Sequence, residues 1–195
     1  GATWISVSSG ISDNDKLRIW TLAFDPSLPD IIYAGVNDGR LMADDTVGGI
    51  YQSTDSGETW LKLGDGAPMA GVIDMAVASD GALYAATAAD FTSLTGGTAA
   101  RQGGLYRLTA PGAQWERILE GIRADYADVA QSDSRYVVAG ISSVFDYNED
   151  HNAGIYVSRD GGSTFRLEIT GLANTRLWMV QFHPADPDTI FVGTG

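Results

Sequence analysis

The sequence predicts an all-β protein, a β-propeller of four-stranded antiparallel blades, and three observations carry that prediction. First, Phe24-Asp25-Pro26-Ser27-Leu28-Pro29-Asp30-Ile31-Ile32-Tyr33-Ala34-Gly35 returns 158 residues later as Phe182-His183-Pro184-Ala185-Asp186-Pro187-Asp188-Thr189-Ile190-Phe191-Val192-Gly193. Second, weaker copies, Leu83-Tyr84-Ala85-Ala86 and Val137-Val138-Ala139-Gly140, lie between them, so that Tyr33, Tyr84, Val138 and Phe191 step by 51, 54 and 53 residues. Third, an in-phase series, Gly49-Ile50-Tyr51-Gln52-Ser53, Gly104-Leu105-Tyr106-Arg107-Leu108 and Gly154-Ile155-Tyr156-Val157-Ser158, precedes the aromatic anchors Trp60, Trp115 and Phe165. A fixed period of about 50 residues marks an array of like units. Four short strands per unit, with turn signals throughout, leave no room for a helix of usual length and fit a propeller blade.

The elements follow in order within each unit. Residues 19–24 read as strand one, and a Pro/Asp turn leads to strand two at 31–36; the matching pair in the last unit is 177–182 and 189–192. Strand three covers 50–53, and strand four starts at the anchor and covers 60–63. Trp4 is a further anchor, with 5–11 as the outer strand and exit of a blade already under way. The expected division is the end of one blade at 1–18, blades at 19–71, 72–122 and 123–174, and the start of another at 175–195. Joining the two ends would supply only 6 of the 25 steps that separate Gly35 from Trp60, so a closing blade would lack its third strand. The expectation is three blades and parts of two more from a propeller of six to eight. A four-bladed ring completed by a second chain, or by a segment outside this sequence, is the alternative.

The turn between strands three and four carries the most specific motif. Ser53-Thr54-Asp55-Ser56-Gly57-Glu58-Thr59-Trp60 and Ser158-Arg159-Asp160-Gly161-Gly162-Ser163-Thr164-Phe165 share the pattern Ser-x-Asp-x-Gly-x-Thr-Trp/Phe. This resembles the Asp-box, or BNR-repeat, β-propeller superfamily, which includes sialidases, xyloglucanase-type family 74 glycosidases, sortilin-like receptor domains and photosystem II assembly factors. The residue chemistry points to structure. A short Asp accepts hydrogen bonds from nearby amides, Gly permits φ > 0, and the ring plugs the blade core. Ser53, Asp55, Gly57, Thr59 and Trp60, with Ser158, Asp160, Gly162, Thr164 and Phe165, are therefore expected to lock the fold. The resemblance also places this box away from the ligand face. Between the two, Leu108, Ala110 and Gln114 replace the Ser, Asp and Thr while Gly112 and Trp115 remain, which predicts a looser turn.

Composition narrows the function classes. The chain has 195 residues with 12 Lys+Arg against 25 Asp+Glu, a formal charge of −13, which opposes nucleic-acid binding and docking on anionic lipid. No apolar window is long enough to span a membrane as a helix. Without Cys, disulfides, thiolate metal sites and cysteine nucleophiles are excluded. The sequence starts with Gly, and any targeting segment has been removed or lies outside it.

Candidate contacts fall on the inner strands and on the loops joining strands two and three. Trp20 and Trp178 are read as equivalent, with Asp74 and Asp128 at matching places between them. A carboxylate pair beside aromatic platforms is what a glycosidase needs, which makes Asp74 and Asp128 the catalytic candidates; the structural reading is that inner strands line a wet channel and Trp packs between blades. Trp20, Trp178, Tyr126, Arg176 and Tyr147 are the candidate ligand contacts. The loop Asp146-Tyr147-Asn148-Glu149-Asp150-His151-Asn152 is dense in oxygen ligands, so Asp146, Glu149 and Asp150 are candidates for Ca²⁺, though no cofactor is required and the run also reads as a solvated surface. Asp38, Arg40, Asp44 and Asp45 form a weaker version in the first loop.

Enzyme signatures are sparse. Arg18-Ile19-Trp20 lacks the Pro of the sialidase-type Arg-Ile-Pro motif, and with His151 and His183 as the two histidines a Ser-His-Asp triad has little support. The expectation is an exported, extracellular or periplasmic propeller that binds or scaffolds a glycan or protein partner. A neutral-polysaccharide hydrolase of the xyloglucanase type is the first alternative, and an assembly factor of a larger complex the second.

Overall fold

The structure, a computed structural model, describes residues 3–12, 18–36, 49–63, 71–88, 103–120, 124–142 and 153–195. Four antiparallel sheets follow one another along the chain. The first joins β1 (Ile19–Phe24), β2 (Ile32–Val36), β3 (Gly49–Ser53) and β4 (Leu61–Lys62) in sequence order. The second is β5 (Gly71–Val77), β6 (Leu83–Ala88), β7 (Gly104–Leu108) and β8 (Glu116–Glu120). The third is β9 (Tyr126–Val129), β10 (Val137–Ile141), β11 (Gly154–Ser158) and β12 (Arg166–Glu168). The last is the hairpin of β13 (Leu177–His183) and β14 (Asp186–Thr194). This is a β-propeller arrangement, with the first strands β1, β5, β9 and β13 packed in succession.

The second strand of each four-stranded sheet explains its own sequence. β2, β6 and β10 are buried along nearly their whole length, on both faces. Such strands read as continuous apolar runs without polar alternation. Their side chains feed cores between sheets. Ala23, Tyr33 and Ile50 of the first sheet meet Val72, Met75 and Leu83 of the second. Tyr84, Ala86 and Leu105 meet Ala127, Val137 and Ala139. Val138 and Ile155 meet Leu177, Val180 and Phe182.

The outer turns form the expected lock, twice over. Ser53 Oγ donates to Asp55 Oδ1 at 2.7 Å and accepts from Gly57 N at 2.8 Å; Asp55 accepts from Thr59 N at 2.8 Å and Thr59 Oγ1 at 2.6 Å. Ser158, Asp160, Gly162 and Thr164 repeat this set at 2.8, 2.8, 2.8 and 2.6 Å. Gly57 and Gly162 have φ of 93° and 88°, the left-handed region where a side chain is strained. Those bonds, the Thr164 hydroxyl first, hold the Asp160 carboxyl down at about 2, and Asp55 is lowered for the same reason. At Ala110 the side-chain set is gone, and the turn keeps Gly112 at φ 81° and the bond Ala113 N to Ala110 O at 3.0 Å.

Residues 7–11 lie against the first sheet, whereas Trp4, expected as an anchor, is 93% exposed and plugs no core among the described residues. Trp60 N donates to Ser9 O at 2.8 Å, Trp60 Nε1 donates to Val7 O at 3.0 Å, and Ile11 is buried with Val36, Tyr51 and Trp60. Val7 stands beside Gly57 as Ile118 of β8 stands beside Gly162. The segment thus takes the place that an outer strand takes against the following blade, although it is not itself a strand beyond the bridge Ser9 to Thr59. At the other end β14 runs longer than the predicted 189–192, because Asp186 pairs with His183 and accepts from Thr189 Oγ1 at 2.7 Å.

Two outcomes are expected. A Cβ at Gly10, where φ is 93°, would stand 2.0 Å from the Trp60 carbonyl oxygen. Gly10→Ala should cost about 1–3 kcal/mol and speed hydrogen exchange at the Trp60 amide; unchanged exchange would refute the docked segment. The lowered Asp160 carboxyl stabilises the fold above its unfolded value of about 3.9 and loses that contribution as pH falls toward 2. Denaturation at pH 5 and pH 2 should therefore show a smaller acid loss in Asp160→Asn than in the wild type.

Candidate functional site

The first strands present their second edge to the propeller axis, where among the described residues no strand pairs with them. Three carry a bulge near the start. One residue is inserted between Ile19↔Val36 and Thr21↔Gly35, between Val72↔Thr87 and Asp74↔Ala86, and between Leu177↔Thr194 and Met179↔Gly193. The inserted residues are Trp20, Ile73 and Trp178, and a bulge of this kind re-aims a side chain. Trp20 is 64% exposed and Trp178 53%. Their equivalence, read from sequence, is confirmed by the register.

The matching of Asp74 with Asp128 is corrected. Asp74 pairs with Ala86 and so corresponds to Thr21, Tyr126 and Met179; Asp128 pairs with Val138 and corresponds to Ala23, Ala76 and Gln181. The turn between β5 and β6 is two residues shorter than its counterparts, Ala76 facing Tyr84 where Asp128 faces Val138, so spacing along the chain misaligned the first strands. The residue that shares the Trp20 and Trp178 position in the third sheet is Asp125, adjacent to the Tyr126↔Gly140 pair.

Both candidate carboxylates tie neighbouring sheets together. Asp74 accepts from Thr21 Oγ1 at 3.4 Å in the first sheet, from Met75 N at 2.9 Å in its own, and from Ala127 N at 3.2 Å in the third. Asp128 accepts from Phe182 N of β13 at 2.7 Å. Tyr126 adds a bond of the same kind, its hydroxyl donating to Leu177 O at 3.2 Å. Burial above all, and the Asp128 charge in a smaller part, push the Asp74 carboxyl up to about 6 against the pull of its donors. Burial likewise raises Asp128.

These residues line one groove of about 600 Å³ along the axis, with Trp20, Asp74, Tyr126, Asp128 and Trp178 all on its walls. Thr21, Asp125, Met179 and Gln181 line it as well and were missed in sequence. Asp125 is 1% exposed and accepts from Ser142 N at 2.8 Å, and only the strand register reveals its place. Arg176 is exposed just before β13 and does not line the groove. Tyr147, Asp146, Glu149 and Asp150, with Asp38, Arg40, Asp44 and Asp45, lie outside the described residues. Among the described residues no group of three or more His, Asp or Glu could hold a metal ion. His183 takes the turn role of Asp25, accepting from Ala185 N at 3.2 Å where Asp25 accepts from Ser27 N at 2.8 Å.

Solved propellers share this architecture. The GH74 enzyme of Niastella koreensis matches with a TM-score of 0.63 at 20% identity, over 91% of this chain and 26% of that one. The GH74 xyloglucanase of Xanthomonas campestris matches with 0.60 at 16%, over 94% and 29%. Chaetomium thermophilum Sqt1, solved bound to the N-terminus of ribosomal protein L10, matches with 0.56 at 16%, over 97% and 45%. At such identities the likeness is one of fold. The chain spans under half the length of each. No protein-family model matches it, and no curated protein matches it significantly in sequence.

The raised Asp74 carboxyl has a stability consequence of definite sign. Its folded value exceeds the ordinary carboxylate value, so its charge costs stability above pH 6, and the cost disappears as pH falls to 4. Asp74→Asn removes the titration. The stability of wild type relative to this variant should rise by on the order of 2–3 kcal/mol between pH 7 and pH 4, read by urea denaturation; a constant difference would show that Asp74 is not held in this environment.

Proposed function

We propose that this propeller segment is a binding module of the Asp-box superfamily, exported to the extracellular space or periplasm, that holds a glycan or protein partner at the axial groove. The observation that carries the reading is the pair of exposed indoles, Trp20 and Trp178, delivered to one groove by matching bulges. Large aromatic surfaces left in water beside hydrogen-bonding groups are characteristic of recognition sites. Support for superfamily membership comes from the two Ser-Asp-Gly-Thr turns with identical bonding. A protein partner has a parallel in Sqt1, solved bound to a ribosomal protein terminus.

The hydrolase alternative draws on the Asp74 carboxyl at about 6, a value suited to a general acid. Against it stands the bonding of Asp74, both of whose oxygens already accept from the protein. Trp20→Ala and Trp178→Ala should each weaken the binding of a saturating oligosaccharide or peptide by tenfold or more, with an unchanged melting temperature. Affinity unaltered by both variants would sink the reading. Xyloglucan turnover by the wild type that disappears in Asp74→Asn and Asp128→Asn would replace it with the hydrolase.

A further inference from the structure

Resting on the reading of the groove as a binding surface, we propose that its occupant is a basic peptide segment, with a Lys or Arg side chain seated between the two tryptophans and the carboxylates of Asp74 and Asp128. Charge complementarity and aromatic geometry support this independently. None of the described residues lining the groove is Lys, Arg or His. Asp128 is close enough to disfavour ionisation of Asp74, and the donors to the two carboxylates are amides and a hydroxyl, which orient them without cancelling a charge. A neutral sugar ring laid over them would strip water from two negative charges and return hydroxyl hydrogen bonds but no opposite charge. A guanidinium or ammonium group offsets both.

The indoles serve the same ligand. Arg and Lys cations bind over the face of Trp, and guanidinium groups also stack on it, so exposed rings beside partly buried carboxylates address both parts of one side chain. The groove of about 600 Å³ has room for such a side chain and the flanking backbone. A net charge of −13 draws basic segments toward the molecule as a whole. That field is unspecific, so the test must separate the groove from the rest of the surface.

The probes are tetraarginine amide, its uncharged tetracitrulline counterpart, and cellotetraose, each titrated against tryptophan fluorescence. Tetraarginine should bind at least tenfold tighter than the other two. Asp128→Asn should weaken tetraarginine at least fivefold more than Glu58→Gln, which removes the same charge at an exposed turn outside the groove. Gln181→Lys, which tethers a cation inside the groove and leaves both carboxylates in place, should weaken it as strongly; this variant covers the case in which Asp128→Asn does not fold. If citrulline matches arginine, or if neither groove variant exceeds Glu58→Gln, the basic-ligand proposal is overturned. Should Trp20→Ala and Trp178→Ala still weaken cellotetraose or tetracitrulline in that event, the groove remains the binding surface. If the tryptophan variants alter no probe, both readings fall.

Discussion

The Asp74 carboxylate accepts hydrogen bonds from three consecutive sheets, through Thr21, its own neighbour Met75, and Ala127. The constraint behind this arrangement is that the first strand of a propeller blade has a pairing strand on one side only. Its other edge faces the axis with amides in need of acceptors. Asp74 answers the Ala127 amide and Asp128 the Phe182 amide, each one position further along in the next sheet. Tyr126 and Gln131 work in the opposite chemical sense, donating to the carbonyls of Leu177 and Val77. These links cross each junction between the sheets that line the groove.

The same links decide what the groove can do. A carboxylate that organises backbone amides is oriented and partly dehydrated, and it is poorly placed to exchange protons freely with a substrate. It remains a negative charge in a partly dry site. In the proposed reading, recognition uses the field of Asp74 and Asp128, while the contact surface comes from Trp20 and Trp178. Binding and architecture share residues, so the carboxylates serve two purposes and the indoles one.

Much of the fold was legible because it rests on local chemistry that repeats. The Ser53 to Thr59 and Ser158 to Thr164 turns need three side chains and a glycine at fixed offsets, and a sequence displays offsets directly. Two-sided burial of β2 and β10 likewise shows as an unbroken apolar run. The site was harder. Trp20 and Trp178 could be matched because both units have hairpin turns of the same length, whereas the shortened β5–β6 turn moved Asp74 out of step with Asp128. Asp125 was invisible for a related reason, since its significance depends on its place beside the Tyr126↔Gly140 pair, which only strand pairing reveals. The extent of β14 turned on one Asp186 bond inside a turn that resembles a longer loop.

The placement of the hydrophobic cores between sheets has a consequence for how such a chain grows and fails. A sheet here owns no interior; Tyr84 and Leu105 are buried by Ala127 and Val137 of the next sheet. Cohesion therefore scales with the number of junctions, as in a one-dimensional array with nearest-neighbour coupling. Duplicating a whole unit adds one junction and disturbs none, which makes the repeat a natural quantum of evolutionary insertion. Damage to a sheet weakens both of the junctions it shares with its neighbours, so a single lesion is felt on two sides.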